Sequence, residues 1–160
     1  MAALRDDFVM RQIDRLRAQV AGLLNEPRPP GAIDQALQLA LSLQVKLFPV
    51  DASQFLTLAP AAQFEHLIRG RPEADAAELT ATYAELLFHT ATLYEFADRL
   101  EFASGARQLA LQLALLSEQR FRTDAAARLV ALLASAATRG ELASDVQSLL
   151  ADFERRRGPA

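Results

Sequence analysis

Ala and Leu make up 32 and 28 of the chain's 160 residues, together more than a third. Val, Ile, Tyr and Phe almost nowhere alternate with polar residues, so strand patterning is thin. Both dominant residues are strong helix formers that lose little side-chain entropy in a helix. This confines the chain to an all-α fold. With 51% hydrophobic and 23% charged residues, it has enough apolar material for one globular domain with its own core.

The helices can be read off one by one. Phe8, Val9, Ile13, Leu16, Val20, Leu23 and Leu24 form one apolar stripe on a first helix from Arg5 to Leu24. Asn25 and Pro27 end it, and EPRPPG (26–31) is a stiff loop. A second helix, from Ala32 to Phe48, is apolar nearly all round and is expected to be buried on several sides, with Pro49 as its stop. Two short pieces follow at 52–58 and 60–69, with Pro60 at a first helical position and Gly70 as a cap. Pro72 opens the longest helix, from Glu73 to Asp98, with an apolar stripe through Leu79, Tyr83, Leu86, Leu87, Thr90, Leu93, Tyr94 and Ala97. Helices at 101–119, 124–138 (capped by Thr123, closed by Gly140) and 141–156 complete the chain. The expected architecture is six to seven antiparallel helices in a single domain over residues 1–157, with a frayed tail at 158–160.

Several function classes recede. The net charge of −3 and pI near 5.4 make nucleic acid an unfavoured partner. Without cysteine there are no disulfides, thiol catalysis or cysteine metal sites. No apolar run approaches the roughly 18 residues of a membrane span. MAALRDDFVMRQ carries acids where a signal peptide needs an apolar centre, so the expected location is cytoplasmic.

One stretch, ELLFHTATLYEFADRLEFASGARQLALQL (85–113), concentrates the polar chemistry. Glu85 and His89 are four apart and share a helix face, so the carboxylate can orient the imidazole; Tyr94 and Asp98 repeat the spacing. A general base could be built from Glu85, His89 and Tyr94. Against this, Ser104–Gly105 lacks the strand-turn-helix setting of a nucleophile elbow. His66 is the other histidine, and Glu85–His89 is one residue longer than the Glu-x-x-His pair of di-iron bundles. No phosphate-binding glycine motif is present. No cofactor or metal is expected, and Glu85–His89 reads as an ordinary helix-surface or part-buried pair.

The same stretch also reads as packing. Leu87, Ala91 and Tyr94 lie on one helix, Asp98 at the turn, and Leu100, Ala103, Ala110 and Leu111 on the next. This order resembles the tetratricopeptide repeat, in which small residues let two helices approach and an aromatic fills the space beside them. Asp98 stands where that repeat has its turn glycine, Arg107 where it has a helix-B aromatic, and the closing proline is missing. The opening RDDFVMRQIDRLRAQVAGLL and the segments AIDQALQLALSLQVKLF and DASQFLTLAPAAQFEHLI are similar to a bacterial family of small, uncharacterised tetratricopeptide-repeat-like helical proteins. The resemblance implies tetratricopeptide-like helical hairpins and no transferable catalytic residue.

ELASDVQSLLADFERRRG then resembles half a repeat without its partner helix. Its apolar face, Leu142, Val146, Leu149, Leu150 and Phe153, is expected to mediate self-association as a homodimer. Arg155, Arg156 and Arg157 read either as an anion-binding run or as compensation of the helix dipole on a solvated tail. Phe88, Phe96 and Phe102 read as core, or as a partner surface where exposed beside Leu93 or Leu100. The expected function is a non-enzymatic protein- or peptide-binding module; the alternatives are a sensor holding a small apolar ligand between helices, and an enzyme using Glu85, His89 and Tyr94.

Overall fold

The computed structural model describes residues 2–25, 28–48, 50–137 and 141–157. The expected stops at Pro27 and Pro49, the helix end at Thr138, the Gly140 cap and the frayed 158–160 tail lie outside them. The described residues form eight α-helices and no strand: α1 (Ala2–Asn25), α2 (Ala32–Leu47), α3 (Ala52–Leu56), α4 (Pro60–Ile68), α5 (Glu73–Phe96), α6 (Leu100–Phe121), α7 (Asp124–Ala136) and α8 (Ser144–Arg157). The all-α class holds, and the count exceeds six to seven because α3, only five residues long, is a helix of its own. Asp51 isolates α3 by capping it, its carboxylate accepting from the Ser53 amide at 2.9 Å.

α5 is the axis, and it serves two apolar clusters. Leu86 and Leu93 pack with Val9, Ile13, Leu16, Val20 and Leu23 of α1 and with α2. Tyr83, Ala84 and Leu87 pack into a larger cluster drawn from α3, α4, α6, α7 and α8. Each fully buried Leu or Ile contributes about 1.5–3 kcal/mol. Multi-sided burial, expected of α2, thus belongs to α5. α2 buries one face (Ala36, Leu37, Ala40, Leu43, Gln44), while Leu41 and Val45 are exposed, with no helix among the described residues covering their side.

The polar groups on α5's buried faces are mostly satisfied locally. Thr80 and Thr90 donate to the carbonyls of Ala76 and Leu86 at 2.8 and 2.7 Å. Buried Gln44 donates from Nε2 to Thr90 Oγ1, which ties α2 to α5. Tyr83 differs. Its ring stands edge-on to Phe48 and Phe55, themselves stacked at 4.4 Å, and its hydroxyl has no partner among the described residues. Burial pushes that hydroxyl's pKa up.

The α5–α6 turn is a Schellman motif. Arg99 N–H donates to Tyr94 C=O at 2.8 Å and Asp98 N–H to Glu95 C=O at 3.0 Å. Asp98 occupies the left-handed position, φ 63°. α6 then returns against α5 in the most extensive helix contact of the molecule. α8 starts at Ser144, three residues later than expected, because Glu141 is held outside the helix by Ser104 Oγ at 2.9 Å and by an ion pair with Arg107 at 3.5 Å.

Candidate functional site

Ala91, Ala103 and Ala110 are completely buried and Leu87 nearly so; Leu87 of α5 and Ala110 of α6 share the larger cluster. Tyr94 is half-buried, packing on the α1–α2 cluster and on the Phe102 ring 5.4 Å away. Arg107 works as an electrostatic tie, pairing with Glu95 at 3.1 Å as well as with Glu141.

Three helices, α1, α5 and α7, lie side by side with a gap between them. α5 and α7 run parallel, since α6 reverses direction between them. α1 also runs with α5: Arg17 meets Glu85, and eleven residues on Arg28 lies 4.1 Å over the Phe96 ring. α1 and α7 each touch α5 only lightly. An open groove of about 540 Å³ results. Ala74, Ala77 and Ala81 form its floor, Met10 and Arg17 one wall, Ala125 and Leu129 the other. Glu78, Thr82 and Glu85 bring polar groups to it.

Glu85 sits at one end of this groove, clamped. Arg17 Nε and Nη2 reach its two carboxylate oxygens, each at 2.8 Å, in a bidentate pair across α1 and α5. Asp14 holds the same guanidinium from the other side. His89 Nε2 stands 3.7 Å from Glu85, too long for a hydrogen bond. Both imidazole nitrogens are shielded from solvent and have no hydrogen-bond partner among the described residues. Burial pushes the Glu85 carboxyl up, and His89 and Arg17 together outweigh it, bringing it down to about 2. Tyr94 is not brought to this pair. Five residues beyond His89, it points roughly 140° away around the helix, toward Phe102. Among the described residues no group of three or more His, Asp or Glu gathers as metal ligands, and no helix is long and apolar enough to cross a membrane.

No family model matches the chain, and neither does any curated protein or solved structure. Its own geometry is therefore what speaks for its role.

The residues expected to mediate self-association are used inside the chain. Leu142, Val146 and Leu150 are 6%, 1% and 3% exposed and join the cluster with Val130 and Leu133 of α7, while Leu149 and Phe153 pack against it. α8 is seated on α6, so the face that motivated a homodimer is already covered. The arginine run also has a use that neither sequence reading contained. Arg156 and Arg157 donate to Oε1 of Glu118, a completely buried carboxylate of α6, at 2.9 and 3.2 Å. Arg156 Nη2 stands 2.8 Å from Oε2, off the hydrogen-bonding line. Burial pushes the Glu118 carboxyl up, but the two guanidinium groups prevail and hold it below its ordinary value. Arg155 is the most exposed of the three and pairs with Asp152.

The three phenylalanines separate. Phe88 packs into the larger cluster, Phe96 lies beneath Arg28, and Phe102 is 62% exposed beside Leu100 at 60%.

Proposed function

We propose that this chain is a cytoplasmic, non-enzymatic helical scaffold of tetratricopeptide-like hairpins that receives a segment of a partner protein in the α1–α5–α7 groove. The observation that carries this reading is the groove itself: about 540 Å³, walled by three helices and floored by alanines. Small residues let a partner's backbone come close, and a concave apolar surface with a few placed polar groups is what a binding site offers. Glu85 and His89, the pair around which a catalytic site could be built, are engaged with Arg17 or shielded from solvent, and Tyr94 faces another way. Exposed Phe102 and Leu100 add a second apolar contact surface at the α5–α6 turn.

Benzoylphenylalanine placed at residue 125, exposed at the rim of the groove wall, tests the proposal in the native cell. A protein crosslink is expected from this position and not from residue 65, on the exposed face of α4. Equal crosslinking from both positions, or none from residue 125, would overturn it.

A further inference from the structure

The partner's chemistry can be narrowed, on the premise that the groove is the binding site. We propose that its occupant is a helix of about three turns, presenting an apolar face flanked by Lys or Arg.

Helical form follows from the floor. Ala74, Ala77 and Ala81 offer methyl groups, which neither donate nor accept hydrogen bonds. An extended peptide laid there would lose water from its backbone N–H and C=O groups without replacement. A helix makes those bonds internally. From Ala74 to Glu85 the floor rises about 17 Å, the length of about 11 helical residues. Floor positions 74, 77, 78, 81, 82 and 85 follow helical spacing, and a fourth helix between α1 and α7 would complete a bundle at an interaxial distance of about 8 Å.

The cationic flank follows from the charges. The groove is lined by two carboxylates, Glu78 and Glu85, and one guanidinium, Arg17. Arg17 is committed to Glu85 and to Asp14. Glu78 has no ion-pair partner among the described residues, and Glu73 and Asp75 stand exposed one turn earlier on α5. An approaching anionic helix meets repulsion along this edge, and a cationic one supplies the missing partner.

A displayed library of fully randomised peptides with no conformational bias, selected on the intact protein and counter-selected on Ala77→Phe, reads both parts. The expected survivors carry apolar residues at i, i+3 or i+4 and i+7 with Lys or Arg beside them, and bind Glu78→Lys about tenfold more weakly, roughly 1.4 kcal/mol. Survivors without enrichment in basic residues, or indifferent to Glu78→Lys, overturn the cationic partner and leave the groove reading standing. Extended or proline-rich survivors overturn the helical form. If no peptide is lost on Ala77→Phe, both this inference and the groove reading fail. Dimerisation of the unmodified protein that Ala77→Phe abolishes would put a second copy in the groove and overturn the proposal.

Discussion

Arg156, one residue from the end of α8, donates to the carboxylate of Glu118, which is buried without residual exposure on α6. The ion pair joins residues 38 apart in sequence and fixes the C-terminal helix to the core from its polar end, as Val146 and Leu150 fix it by burial. Arg157 reinforces it and also reaches Asp124 and the Thr123 carbonyl, each at 3.3 Å, where α7 begins.

Removing the guanidinium groups leaves a buried carboxylate without compensation. The double variant Arg156→Ala/Arg157→Ala is expected to lose about 3 kcal/mol of stability, measured by urea unfolding at pH 7. Glu118→Leu is expected to lose less, because both arginines are partly exposed and can turn to water. The reverse order would show that the clamp does not hold α8.

Glu85 makes stability depend on pH in the acid range. Its folded pKa, about 2, lies below the ordinary 4.5, so the native state holds the carboxylate charged more readily than the unfolded state does. The contribution is fully present above pH 4.5 and is lost as the pH falls toward 2. The shift corresponds to at most about 3 kcal/mol, discounted to about 1–2 kcal/mol because Arg17 is 42% exposed. Glu85→Gln is expected to flatten the unfolding free energy between pH 5 and 2 by that amount; an unchanged slope would reject the assignment.

Two turns hold non-glycine residues in the left-handed region: Asp98 at φ 63° and Arg122 at φ 57°. Arg122→Gly is expected to stabilise by about 1 kcal/mol, and Asp98→Gly by a few tenths, since Asp tolerates this conformation better. Paired midpoints in urea decide it. A loss at Arg122 would mean that its Nε bond to the Gln119 carbonyl, at 3.1 Å, outweighs the backbone strain.

The α5–α6 contact depends on residues that lack volume. Ala110→Leu adds bulk to a position with no exposure and is expected to cost about 1–3 kcal/mol. The same change at Ala131, exposed on α7, is expected to be near neutral. Thermal unfolding of both variants checks the contrast.

Much of the fold was legible because helix-forming residues act locally. Thr123 caps α7, accepting from the Ala126 amide at 3.1 Å; Pro60 opens α4; Gly70 takes φ 71° after it. The candidate site was barely legible. Its floor alanines look like any others in a chain with 32 of them, and Met10, Ala77 and Leu129 are distant in sequence. The one available signal was the unequal loading of acids near the start of α5, Glu73, Asp75 and Glu78, which helix-dipole compensation explains equally well.

By itself, then, the sequence determined the helices, their caps and the apolar stripes that must be covered, since these depend on neighbours within a turn or two. Tertiary structure alone decided what covers each stripe. α5, not α2, became the shared axis; the face of α8 closed on its own chain; Arg156 and Arg157 turned inward to Glu118; and α1 and α7 stood far enough apart to leave a groove. The physical reason is that burial is non-directional, so an apolar face specifies that it must be covered and not by which partner.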